Sequence, residues 1–195
     1  MADALIVVDV QNDFCSGGSL AVPDGDAVVP IMNEYIARAT DAGIPIFASR
    51  DWHPPVTRHF VAQGGEWPPH CVQGTHGAEF HPDLRLPPDT VIVSAGTGPE
   101  DEGYSAFDGE LPGGQPLADA MRARGVEHVY VGGLATDYCV RMTVLDALKH
   151  GFAASLLADA SRAVDVKPGD GERATNEMLA AGAELRNLDE VAPTK

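Results

Sequence analysis

Short unbroken apolar runs alternate with stretches of helical spacing along most of this chain, and no other feature constrains the fold as much. Ala4-Leu5-Ile6-Val7-Val8 is the first such run, the pattern of a strand buried on both faces. Ile44 to Ser49, Val91 to Val93, Val126 to Gly132 and Phe152 to Ala158 read as further strands, and Ala183 to Leu188 as a short sixth one. Between them, Val29, Met32, Ile36 and Ala39 recur at helical spacing within 23–43, with Pro30 tolerable in the first turn and Gly43 as the stop. Helices also read over 116–125, 137–150 and 171–182. Strands alternating with helices predict a three-layer α/β/α fold around a mostly parallel, Rossmann-like sheet of about six strands, as a single domain over 1–195. Ligands of such sheets lie beyond the carboxyl ends of the strands. Asp9, Asp51, the turn after Val93 and the turn carrying Cys139 all fall at such ends.

A formal net charge of −16 argues against nucleic acid or an anionic membrane as partner. No apolar run approaches a membrane span, and the three cysteines (Cys15, Cys71, Cys139) show no disulfide spacing. The expectation is a cytoplasmic protein acting on a small molecule, as a homo-oligomer by the default for enzymes.

In Val131-Gly132-Gly133-Leu134-Ala135-Thr136-Asp137-Tyr138-Cys139, a β-prone run meets two glycines, a turn, and then a thiol where a helical pattern begins. A thiol at a helix start is favoured as thiolate, and backbone N–H groups there can hold a developing oxyanion. A buried structural cysteine is the competing reading. Asp9, at the end of the first strand, can take the thiol proton and later deliver it to a leaving amine; its alternative is a cap or ion pair. Asp51 and His53, one residue apart, point the same way from extended backbone, and a distant His70 can close a facial metal site for Zn, Fe or Mn, with His59 as an additional candidate. The alternative is a polar loop cluster. The irregular stretch 51–89 holds both tryptophans and five of the seven histidines, which favours function over disorder. Phe14, Trp67, Tyr104 and Tyr138 could line a flat pocket for an aromatic ring, or simply pack.

These segments together resemble the nicotinamidase (pyrazinamidase) branch of the isochorismatase-like cysteine hydrolases. The resemblance runs through Ala4 to Phe14, Ser49-Arg50-Asp51-Trp52-His53, Trp67-Pro68-Pro69-His70-Cys71-Val72, Tyr104 to Phe107 and Gly133 to Val140, in the family's order. It implies hydrolysis of nicotinamide, and of pyrazinamide, to the acid and ammonia. It implies Cys139 as nucleophile, Asp9 as proton shuttle, and Ala135 and Cys139 N–H groups as the oxyanion hole. A cis peptide between Leu134 and Ala135 is implied too. One divalent metal on Asp51, His53 and His70 would take the pyridine nitrogen, with His59 as a fourth ligand. A related amidase acting on a carbamoyl or maleamate compound is the alternative.

One position departs. The family's catalytic lysine opens a Lys-Gly-Thr-like motif after the third strand, and here that motif reads Ala95-Gly96-Thr97. The three lysines (Lys149, Lys167, Lys195) are near no matching motif. Three accounts fit: an enzyme impaired at Ala95, a divergent amidase whose cation comes from elsewhere such as Arg50, or a non-catalytic protein that binds metal and a pyridine.

Overall fold

The computed structural model describes residues 2–191. Its strands are β1 (Ala2–Val8), β2 (Ile46–Asp51), β3 (Val91–Ala95), β4 (Val126–Leu134), β5 (Ala153–Arg162) and β6 (Glu184–Arg186). They form one sheet in the order β3-β2-β1-β4-β5-β6, with every pairing parallel. α1 (Val28–Ala42) buries Met32, Tyr35 and Ile36 on one face of the sheet with Leu5 and Val7. α2 (Leu117–Ala123), α3 (Arg141–Lys149) and α4 (Asp170–Ala180) cover the other face, where Leu117, Val144 and Met178 pack with Ile6, Val8 and Val93. The expected α/β/α fold is thus the observed one. Among the described residues no helix is long and apolar enough to cross a membrane.

Several boundaries differ from the sequence reading. The helix expected from residue 23 begins at Val28, because Asp24 is left-handed (φ 54°) and a short 3-10 turn over Gly25–Ala27 intervenes. β2 is displaced two residues and runs through to Asp51, since the N–H of Ile44 closes α1 by donating to the Ala39 carbonyl. The helix expected over 137–150 opens as a wide π turn, Thr136–Val140, with the Val140 N–H donating to the Ala135 carbonyl; α3 follows.

β1 and β4 are the central pair, with Val8 opposite Gly133. The chain crosses to one side after β1 and to the other after β4, so the crevice beyond these two strand ends is the topological switch point. Gly133 (φ 129°) permits the close approach: a Cβ there would stand 2.0 Å from the Val8 carbonyl oxygen.

Candidate active site

Asp9 follows β1 in the left-handed region (φ 48°), a conformation that a non-glycine residue seldom holds without surrounding constraint. Its Oδ1 accepts the Ser49 hydroxyl at 2.6 Å, and its carboxyl has an oxygen within 4.8 Å of the Cys139 sulfur. Past the end of β4, the Leu134–Ala135 peptide is cis and the π turn carries Cys139 to this point. Both groups are buried. Burial, then the charge of Asp51, pushes the Asp9 carboxyl up to about 8. Burial and the carboxylates of Asp9 and Asp51 likewise push the Cys139 thiol well above the usual thiol range. A carboxyl titrating near neutrality beside a thiol is equipped to exchange a proton with it.

Beside this pair, Asp51, His53 and His70 bring one donor atom each within 4.8 Å of one another, all buried. Asp51 Oδ2 lies 3.4 Å from His53 Nε2 and 3.7 Å from His70 Nε2. The opposite ring nitrogens face carbonyls, His53 Nδ1 that of Gly96 (3.1 Å) and His70 Nδ1 that of Pro68 (2.8 Å). A carbonyl holds the proton on Nδ1, which leaves the Nε2 lone pairs facing the carboxylate, the arrangement a divalent metal requires. Burial would raise the Asp51 pKa, but the two imidazoles beside it, His53 and His70, outweigh it and hold the carboxyl down at about 2. Gly96 is needed here, because a Cβ would meet the His53 ring at 2.5 Å. His59 sits beside His53, ring centroids 5.1 Å apart, but its Nε2 faces the Asp101 carbonyl at 2.6 Å. The three-residue group forms without it.

A cleft with about 460 Å³ of space, partly open to solvent, reaches both clusters. All four aromatics singled out from the sequence, Phe14, Trp67, Tyr104 and Tyr138, line it together with Ala135 and Cys139. Trp67 Nε1 donates to the Tyr104 hydroxyl (2.9 Å), and the Trp67 ring meets Tyr138 edge-on at 5.1 Å. Phe14 packs against His70 at 5.6 Å. The resulting slot suits a flat ring, with a thiol at its floor and the histidine–carboxylate group in its wall.

The isochorismatase domain model matches residues 3–190. The chain belongs to the isochorismatase family. Within that family it is 40% identical over 201 residues to the nicotinamidase of Escherichia coli strain K12, covering 95% of this chain and 94% of that one. It is 43% identical over 187 residues to the nicotinamidase/pyrazinamidase of Mycobacterium tuberculosis, covering 93% and 97%. The crystal structure of the pyrazinamidase of Pyrococcus horikoshii in complex with zinc superposes with a TM-score of 0.89 at 49% identity, over 96% of this chain and all (100%) of that one.

In this isochorismatase-family chain the position of the missing lysine is well defined. Ala95 ends β3 opposite Asp51 and is 2% exposed. It lies two residues beyond Val93, so its side chain faces the layer that holds Val93 and Cys139. Arg50 does not substitute for a lysine. It alternates to the other face from Ser49 and Asp51, stacks on Trp52 at 3.8 Å, and donates to the Ser94 hydroxyl. Lys149 is exposed and paired with Asp146, and Lys167 is exposed; Lys195 lies outside the described residues.

Two buried polar residues went unrecognised in the sequence. One is Ser49, on Asp9. The other is Gln11, whose carboxamide accepts from the Asp51 N–H and donates to the Asp51 carbonyl, both at 2.8 Å. Each is a polar residue adjoining an apolar run, which is the one signal that could have found them. Asp13 accepts the Cys71 N–H at 2.7 Å.

Proposed function

We propose that the chain is a nicotinamidase that hydrolyses nicotinamide, and pyrazinamide, to the acid and ammonia. The observation that carries the reading is a buried thiol within 4.8 Å of a carboxyl pushed up to about 8, at the floor of an aromatic slot, in a chain so similar to nicotinamidases along its length. In the first half-reaction Asp9 accepts the thiol proton and Cys139 sulfur attacks the amide carbon. The oxyanion is received by the Ala135 and Cys139 N–H groups. Asp9 then returns the proton to the departing nitrogen, ammonia leaves, and a thioester remains. In the second, Asp9 takes a proton from water, the hydroxide attacks the thioester, and the acid and free thiol are released. Trp67, Tyr104, Tyr138 and Phe14 hold the ring flat in the slot.

Asp51, His53 and His70 would hold one divalent metal, whose Lewis acidity, when bound, would engage the pyridine nitrogen and fix the ring. The donor set of one carboxylate and two imidazoles fits Zn, Fe or Mn. The zinc in the Pyrococcus horikoshii complex supports zinc among these.

Ala95 sets the level of activity in this reading. Without an ammonium beside Asp9 and Cys139, both are held toward their protonated forms, and the chain turns over slowly. Ammonia release from nicotinamide, measured against Cys139→Ala, tests the assignment. A metal-loaded, folded parent chain that releases no more ammonia than Cys139→Ala would defeat it and leave the pyridine-binding alternative.

A further inference from the structure

The histidine–carboxylate group uses only one side of Asp51. Its Oδ2 faces His53 and His70, whereas its Oδ1 is buried without a hydrogen-bond partner. A buried carboxylate oxygen left in that state is costly unless a cation meets it. A second set of donors stands close by. Asp9, Asp51 and Cys139 bring two oxygens and a sulfur within 4.8 Å of one another, all buried. Two carboxylates and a thiol packed together out of water repel once ionised. Ala95 faces this layer and contributes no charge, and neither described lysine is near. Asp51 and Cys139 also line the cleft, so an ion has a way in.

We propose that Asp9, Asp51 and Cys139 form a second cation site, adjacent to the first and sharing the Asp51 carboxylate, that takes a thiophilic divalent ion such as zinc, cadmium or cobalt. The site rests on the preceding reading for its neighbour, the ion held by Asp51, His53 and His70. Its mixed oxygen–sulfur donors suit the softer divalent ions over magnesium or calcium. Loading forms a metal–sulfur bond and releases the Cys139 proton to solvent, with no change in oxidation state. Because the bound ion takes the sulfur lone pair that would attack the amide, excess metal withdraws the nucleophile.

A third cluster, Cys15, Asp26 and His81, has similar spacing but is internally satisfied. Asp26 Oδ2 accepts both the N–H and the hydroxyl of Ser16, at 2.8 and 2.5 Å. His81 Nδ1 accepts the Asp83 N–H at 3.2 Å, so a neutral ring carries its proton on Nε2, the atom that faces Asp26.

Cobalt(II) added stepwise to the chelator-treated full chain separates the sites, with uptake measured by elemental analysis and sulfur ligation by the thiolate-to-cobalt charge-transfer band. The expected result is a first equivalent without that band and a second equivalent that brings it. Cys139→Ser removes the band and the second equivalent while keeping the first. Asp9→Asn, which retains the sulfur, weakens the second by roughly tenfold or more. One thiolate-free equivalent and no further uptake overturns this site and leaves its neighbour standing. No uptake at all overturns both. A band that survives in Cys139→Ser and disappears in Cys15→Ser assigns the sulfur to the third cluster and overturns the proposal.

Discussion

Replacing Ala95 with lysine is the most informative perturbation of this chain. Asp9 titrates at about 8, pushed there by burial and by Asp51. At pH 7 only about one molecule in ten therefore holds it as the carboxylate that can accept the thiol proton. An ammonium extending from the end of β3 into the layer of Cys139 favours both ionised groups. Bringing Asp9 back below about 6 raises the competent fraction to roughly 90% or more, about a tenfold gain from this residue alone. The thiol shifts in the same direction. Removing one member of a comparable catalytic unit costs on the order of 10⁴-fold, which bounds the gain from above. Ala95→Lys should thus raise kcat/KM for nicotinamide by between about 10-fold and ~10⁴-fold at pH 7, followed by ammonia release. The alkaline shift that Asp9 imposes on the parent's pH profile should move toward acid as well. Ala95→Met, of similar length but uncharged, is the control. An equal rise with methionine would show that volume rather than charge was missing. A folded Ala95→Lys protein that still alkylates at Cys139 and gains nothing would refute the electrostatic argument.

Asp9 should also destabilise the metal-free chain as pH rises. Its folded pKa (about 8) exceeds the ordinary 3.8, so the folded state keeps a proton that the unfolded state has lost, and stability falls between about pH 4 and about pH 8, by at most about 1.4 kcal/mol per pH unit. Asp9→Asn should flatten that slope, and parallel melting-temperature profiles for parent and variant from pH 5 to pH 8 (roughly the window set by the shift) would contradict it. Ser49→Ala removes the hydroxyl that holds Asp9 at 2.6 Å and should lower kcat by roughly 2- to 10-fold with KM unchanged, while Ser49→Thr retains most activity; an effect confined to KM counts against this role. Trp67→Ala removes the hydrogen bond to Tyr104 and the edge contact with Tyr138, and steady-state kinetics should show KM raised about tenfold. An unchanged KM would place the ring elsewhere in the cleft.

What the sequence revealed divides along physical lines. The parallel sheet was readable because Ala4–Val8 is apolar without alternation, which only a strand covered on both faces tolerates, and because strand runs alternate with helical spacing along the chain. Asp9, Asp51 and Cys139 could be assigned to one rim because each follows closely on a strand run, Cys139 in the turn beyond it. The boundaries were less visible. The π turn over Thr136–Val140 depends on a single carbonyl, that of Ala135, accepting from both Tyr138 and Val140, and side-chain periodicity carries no trace of that. The turning of His59 toward Asp101 was hidden for a similar reason, since it is fixed by a contact across 42 positions of chain. Arg50 looked available because it adjoins Asp51, but strand alternation sends it to the opposite face. Ser49 and Gln11 gave only a weak signal, because a buried hydroxyl or amide announces its partner only once the fold has brought the two together.

The Gln11 carboxamide grips the N–H and the carbonyl of one residue, Asp51, from two positions past Asp9. That side chain behaves as a one-residue strand laid against the tip of β2. It works as a gauge block: the gap between the Asp9 and Asp51 carboxyls is set by the length of one amide. Any loop exchanged around this cleft can then change which ring enters it without resetting that gap.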